Sequence, residues 1–427
     1  MGRKVAKTNA AGTRHRNERM YGIMSKLAID GGTPVFTEKP IRPVWPPASP
    51  AVGDKLREIY MSSKWSFYGE NEVLFNERYA EYTGAKYSVM MANGTVTLEC
   101  ALIALGVGPG DEVIVPAHTW LATGEAVVYV GATPVVVDIE PDTLCMDPKA
   151  FEAAITPKTK AVIPVHLFGS MADLDKIIAI AKKHGIKVIE DCAHAHGGEW
   201  NGRGVGSWGD AGSWSFQQSK LLTSGEGGSI TTNDEKVWDV VGRLSHIGYQ
   251  RGAKQGEKST PPPMGLICHN YRVTEFQAVI LLGQLETLRQ DTELRAKNAD
   301  YLRAKIEQIP GVRVQAKGRC ATLQSYYMFA VMLDDEMLKP GIDLTQICAA
   351  LKAEGLGSLN RGWGNVMYRQ RLWSVPENMY RIESNSVAEK VVGKQLLVCG
   401  LNWLMAKKSD LDLFAEAVAK VMDAYRA

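Results

Sequence analysis

The sequence predicts an α/β protein: a central, mostly parallel sheet covered by helices, with a smaller α+β domain formed by the C-terminal third. Three observations carry this. Between about residues 90 and 232, short β-branched runs alternate with helical patterns, which implies crossover connections and helices on both faces of the sheet. The chain has 427 residues, more than one hydrophobic core usually serves. Beyond Arg272 the alternation gives way to a long helical stretch and then to mixed strands and helices.

Taken in order, residues 1–26 read as a flexible basic tail. Arg3, Lys4, Lys7, Arg14, Arg16 and Arg19 face one acid, Glu18, and no apolar run makes the tail a signal peptide. A large domain is expected over 27–290 and a small one over 291–427. Strands are expected at 87–91, 112–115, 134–138, 161–165, 187–190, 213–216 and 228–232. Leu174, Ile177, Ile178 and Ala181 recur at helical spacing, and Lys182, Lys183, His184 and Gly185 supply a stop signal. Residues 252–263 end in three prolines and read as a surface excursion. A continuous helical pattern spans 274–305, followed by a strand at 327–333 and helices at 344–354 and 411–425.

Composition excludes several classes. An apolar share of 45% beside 22% charged suits a globular enzyme, and a net charge of +2 gives no strong field for nucleic acid or an anionic membrane. No apolar stretch is long enough to span a bilayer, and seven cysteines without a CxxC pair suit reduced thiols. A cytoplasmic location is expected.

In open α/β sheets, ligands sit beyond the carboxyl ends of the strands, so polar residues just past each run are candidates for chemistry. Gly94 and Thr95 open a helix after strand 87–91, where free N–H groups and a hydroxyl suit a phosphate, or simply form a turn and cap. Trp120, after 112–115, could lie on an aromatic ring or pack in the core. Asp191 ends the 187–190 run and could pair with a protonated pyridine nitrogen, with His194 three residues on as a donor to the same ring. The alternatives there are an N-cap and a metal site of Asp191, His194 and His196, whose spacing matches no familiar ligand set. Lys220 follows Ser215 and precedes a glycine-rich turn among uncharged neighbours, where an amine can lose its charge and act as a nucleophile, although most lysines are solvated cations. Asn270 and Arg272 precede the long helix. The order of phosphate cradle, aromatic, acid and lysine on successive elements of one sheet is stronger than any single member.

These residues resemble the DegT/StrS aminotransferases, which aminate keto-sugars and keto-cyclitols in the making of surface sugars and aminoglycosides. The likeness runs from about Trp65 to Glu286. It includes Gly106 to Pro116 (GVGPGDEVIVP), 155–160 (ITPKTK), 164–169 (PVHLFG), 190–194 (EDCAH), 215–220 (SFQQSK), 225–228 (GEGG) and 270–272 (NYR). The resemblance implies a fold-type I pyridoxal-phosphate (PLP) enzyme. Lys220 would hold the cofactor as a Schiff base and shuttle a proton. Asp191 would pair with the pyridine nitrogen, His194 hold the phenolic oxygen and Trp120 stack on the ring. Gly94, Thr95 and Ser215 would bind the phosphate, and Asn270 would reach the neighbouring subunit's phosphate, making a homodimer the working unit. Gln217 and Leu221 around the lysine, with LAIDGGTP at 27–34, are similar to the scyllo-inosose aminotransferase branch. A keto-cyclitol or keto-sugar acceptor with glutamine or glutamate as donor is therefore implied.

The C-terminal part departs from the family pattern. Where relatives carry a histidine-containing segment, residues 359–367 read LNRGWGNVM, and CGLNWL at 399–404 replaces a second such segment. Three rival readings remain: a PLP-dependent dehydratase or aromatising synthase using the same lysine, a PLP-binding regulatory protein without turnover, and a nicotinamide dehydrogenase. The last is disfavoured because no GxGxxG follows an early strand.

Overall fold

A computed structural model describes residues 26–427 except positions 39, 41, 251, 254 and 255, so the basic tail expected at 1–26 lies, but for its last residue, outside the described residues. The strands in the first two-thirds are β1 (Tyr87–Met91), β2 (Glu112–Pro116), β3 (Thr133–Val137), β4 (Thr159–Val162), β5 (Lys187–Asp191), β6 (Glu199–Trp200), β7 (Arg203–Gly204), β8 (Ala211–Ser215) and β9 (Gly228–Thr232). Later come β10 (Val312–Val314), β11 (Ala321–Leu323), β12 (Met328–Leu333), β13 (Arg381–Ile382) and β14 (Leu396–Gly400).

One eight-stranded sheet has the order β1-β9-β8-β5-β4-β2-β3-β13. The pairs from β8 to β13 are parallel, while β9 runs antiparallel to both β8 and β1. The residues explain this layout. Val113, Ile114, Val115, Val135, Val136 and Val137 are wholly buried, as strands covered on both faces must be. Helix Leu174–His184 covers one flank with Leu174, Ile177 and Ala181. Asp173 accepts from the Lys176 N–H at its start, and Gly185 ends it at φ +68°. Because β1 points the same way as β8 and β9 the opposite way, the ends of β1, β2, β5 and β8 and the start of β9 share one edge. Gly228 has no room there for a side chain, since a Cβ would lie 2.6 Å from the Asn93 carbonyl.

A second core surrounds the antiparallel sheet β10-β12-β14. Helices Leu288–Ile306, Leu344–Ala353 and Lys408–Tyr425 pack on it through residues such as Leu302, Ile347 and Phe414. Leu27 and Phe36 join this core. The buried Glu354 carboxylate clips them there by accepting the N–H groups of Ala28 and Val35 and an ion pair from Lys420. In the other direction, β13 returns to extend the large sheet beside β3.

The helical pattern expected as continuous over 274–305 is two helices, Glu275–Leu285 and Leu288–Ile306. The first packs Ala278 and Leu281 with the large sheet's aromatic residues, and the second packs Ala299, Leu302 and Ile306 into the C-terminal core. One straight helix would not serve both. Among the described residues no helix is long and apolar enough to cross a membrane.

Candidate active site

The shared edge gathers most of the residues singled out in the sequence. Lys220 follows β8 on a tight turn, with its N–H donating to the Gln217 carbonyl and its own carbonyl accepting from the Trp45 indole at 2.9 Å. Its amine lies 4.8 Å from the centre of the Tyr327 ring. Burial drives its pKa from 10.5 down to about 8, with the Asp191 charge opposing. A pKa of about 8 leaves a minor but ready share of the amine uncharged near physiological pH, where an ordinary lysine has almost none, and the uncharged form is the one that captures a carbonyl.

Asp191 ends β5 and is buried. Its Oδ2 accepts from the Thr123 hydroxyl at 2.9 Å and its Oδ1 from the Ala193 N–H at 3.2 Å, and Thr119 in turn pairs with Thr123 at 2.8 Å. Burial raises its pKa despite those bonds and the nearby Lys220, so a cationic partner would stabilise its ionised form.

His194 is buried and stacks on Tyr327, with ring centres 4.2 Å apart and planes 16° from parallel. Burial, then the Lys220 charge, push its pKa well down, so the ring is neutral. The Phe168 N–H donates to Nδ1 at 3.4 Å, which leaves the ring proton on Nε2. Ser219 connects the lysine turn to Tyr327 through paired hydroxyls 2.8 Å apart.

Gly94 begins helix Gly94–Ala104, where Asn93 accepts from the Thr95 and Val96 N–H groups. This leaves the Gly94 N–H and the hydroxyls of Thr95 and Ser215 as donors on this side. A Cβ on Gly94 would come 2.7 Å from Ser215 Cβ, so only glycine permits the approach. Trp120 is 41% exposed, its ring open to a flat ligand on this rim. Asn270 is exposed on the loop after Cys268, where its backbone bridges to His246.

The arrangement also answers the metal alternative. His196 donates from Nε2 to the Ser215 carbonyl at 2.8 Å and contacts the Tyr79 hydroxyl through Nδ1 at 2.9 Å, so both its nitrogens are engaged. A second cluster, His166, Glu190 and Cys192, has suitable spacing. Its carboxylate, however, already accepts from His166 and from the N–H groups of Gly206, Trp208 and Gly209. Glu190 is a buried brace for β5.

Sequence reasoning missed Thr123, Tyr327, Phe168 and Trp45. Thr123 alone left a local signal, being one helical turn beyond Thr119.

A buried lysine of lowered pKa, a buried carboxylate in want of a cation, a proton-bearing imidazole nitrogen and a glycine-lined anion cradle at the strand ends of an open sheet fit pyridoxal phosphate. Together with the architecture they define a fold-type I PLP enzyme. The chain belongs to the DegT/DnrJ/EryC1/StrS aminotransferase family, whose model matches residues 51–391. It is 38% identical over 420 residues to an L-glutamine:2-deoxy-scyllo-inosose aminotransferase of Streptoalloteichus tenebrarius, covering 93% of this chain and 97% of that one. It is also 38% identical over 427 residues to an enzyme of the same name from Streptomyces kanamyceticus, with the same coverage. Among solved structures, 3-amino-5-hydroxybenzoic acid synthase matches with a TM-score of 0.80 at 28% identity, covering 91% of this chain and 100% of that one. An aminotransferase from Psychrobacter cryohalolentis matches with a TM-score of 0.79 at 30% identity, covering 90% of this chain and all of that one. The chain is a PLP-dependent aminotransferase.

Proposed function

We propose that this enzyme moves the amino group of glutamine to a keto-cyclitol. The observation that carries the reading is the buried Lys220 amine facing the Asp191 charge, in a chain similar over nearly its whole length to glutamine-dependent scyllo-inosose aminotransferases. Bound PLP supplies an aldehyde for an amine to capture and a ring that stores an electron pair when a neighbouring C–H bond breaks.

The residues divide the remaining work. Lys220 anchors the cofactor through its amine and, when free, takes a proton from the donor carbon and returns one to the acceptor carbon. Burial suits it to both tasks by lowering its pKa toward working pH. Asp191, held by Thr123 and the Ala193 N–H, pairs with the pyridine nitrogen. His194 donates from Nε2 to the phenolic oxygen, its orientation set by the Phe168 N–H and the Tyr327 stack. The Gly94 N–H, Thr95 and Ser215 bind the phosphate, and Trp120 covers one face of the ring. Asn270, exposed on its own chain, reaches the site of a second subunit in a homodimer.

The chain divides near residue 290 into a cofactor-holding domain and a smaller C-terminal one, with residues 27–36 crossing to the latter. The free cysteines support a cytoplasmic location. The structural likeness to 3-amino-5-hydroxybenzoic acid synthase favours one rival, an aromatising dehydratase. Incubation with α-amino-15N glutamine and 2-deoxy-scyllo-inosose decides between them. The expected result is a cyclitol amine carrying 15N. Loss of water from the ring without incorporation of 15N would overturn the proposal.

A further inference from the structure

Residue 363 sits on a loop shaped to present it. Gly362 and Gly364 flank it at φ +55° and +72°, and a Cβ on Gly362 would come 2.6 Å from Val398 Cγ2. Backbone bonds of 3.1 and 2.7 Å between Asn360 and Val398 tie the loop to β14, and Arg361 reaches back to the Gly364 carbonyl. The loop carries Trp363 to the rim of the lysine site. Its ring is centred 5.7 Å from Trp120, 5.9 Å from His194 and 5.6 Å from Phe168.

Beside it lies His118, edge-on to Trp363 at 5.6 Å, with both ring nitrogens buried and unpartnered. A neutral imidazole has one donor and one acceptor to satisfy, and a hydroxylated ligand brings both. Three of the four arginines between residues 361 and 381 are turned to protein partners: Arg361 to the Gly364 and Gly393 carbonyls, Arg369 to Glu389, and Arg381 to Glu112 and Glu383, while Arg371 is exposed. A nucleoside diphosphate would find an aromatic surface here without a clamp from these three.

We infer that Trp363 is a specificity-determining residue whose ring stacks on the C–H face of an uncharged, polyhydroxylated ring ketone while His118 reads one of its hydroxyls, so that free cyclitols are preferred over nucleotide-linked sugars. This deepens the aminotransferase reading and rests on it. Glutamine has no ring face to offer and should be nearly indifferent to Trp363.

The test uses the PLP-loaded full chain with Trp363→Ala and Trp363→Phe. The two half-reactions are followed separately by cofactor absorbance, with glutamine and then with 2-deoxy-scyllo-inosose. Trp363→Ala should raise the ketone concentration for half-maximal rate at least tenfold and change the glutamine step less than threefold, and Trp363→Phe should stay within threefold of the parent in both. A binding measurement free of turnover, saturation-transfer NMR with myo-inositol and with uridine diphosphate glucose, should show the inositol signal falling in Trp363→Ala and the nucleotide binding more weakly than inositol in the parent. Unchanged ketone dependence, equal losses in both half-reactions, or tighter binding of the nucleotide would each overturn the inference. Failure of the aminotransferase reading would look different: the parent enzyme would then give no absorbance change with glutamine.

Discussion

Replacing Lys220 with methionine in the cofactor-free chain should make the protein more stable at neutral pH. The fold holds this amine where burial lowers its pKa from 10.5 to about 8. At about 1.4 kcal/mol per pH unit, that difference is about 3 kcal/mol of folding free energy forgone wherever the amine is protonated. The sign follows from proton counting. Between pH 8 and 10.5 the unfolded chain binds the proton that the folded chain has released, so the penalty is full below pH 8 and fades as the pH approaches 10.5. Methionine fills a similar volume without charge. Urea unfolding of the cofactor-free parent and of Lys220→Met should therefore differ by about 3 kcal/mol in favour of the variant at pH 7 and converge toward pH 10. The same amine should take up PLP at a rate that climbs with pH and levels off just above 8. A variant no more stable than the parent at pH 7, with uptake still climbing near pH 10, would refute the claim that the resting amine is buried and poised.

Glu190→Gln should cost about 3 kcal/mol or more in urea unfolding at pH 7. One carboxamide oxygen cannot accept everything His166, Gly206, Trp208 and Gly209 donate, and its NH2 would face backbone N–H groups, at about 1–3 kcal/mol for each one left unmet. Burial alone would raise the Glu190 pKa, but the bonds from His166 and the backbone lower it. Its contribution should thus persist above the ordinary carboxylate range and vanish as the pH falls through the lowered value, so the gap between parent and variant should close in acid. Gly94→Ala must displace Ser215, whose Cβ would be 2.7 Å from the new methyl, and should weaken PLP binding about tenfold or more in an absorbance titration, roughly the loss of one charge-assisted hydrogen bond. Asp191→Asn should still fold and bind PLP but transfer its amino group at least about 100-fold more slowly, because an amide cannot hold the pyridine nitrogen protonated; near-parental turnover would remove Asp191 from the mechanism.

The candidate site's residues were legible because most lie at or just past the carboxyl end of a strand in one sheet, the edge where ligands of open α/β sheets collect. Parallel strands buried on both faces read as unbroken apolar runs, so their ends could be located, and Gly94, Trp120, Asp191, His194, Ser215 and Lys220 all fall within a few residues of such an end. The antiparallel course of β9 was not readable, since a buried strand has the same pattern in either direction. The break between Leu285 and Leu288 was hidden for a related reason: helical periodicity continues across it while the packing partner changes. Tyr327 and Trp45 reach the lysine turn across 108 and 175 residues of sequence, and no local pattern reports contacts of that range.

This contrast separates two kinds of information in the chain. Asp191, Ser215 and Lys220 are held by strands of one sheet or by the turn following one, and Asp191 lies beside the Glu190 brace, so the chemistry is anchored in the rigid part of the fold. Tyr327 and Trp363 come from segments tied to strands of the C-terminal sheet, Tyr327 immediately before β12 and Trp363 through the Asn360 backbone bonds to Val398 of β14, and the second core is built around that sheet. Sequence changes in that core can therefore move the wall of the cleft without disturbing the lysine and its acid. On this argument the departure of 359–367 from the family pattern bears on which ketone is accepted, while the capture of the amino group stays with Lys220. A chimaera carrying a relative's 359–367 segment should accordingly keep its glutamine half-reaction and change its preference among ketones, and loss of both together would show that the two parts of the site are not separable.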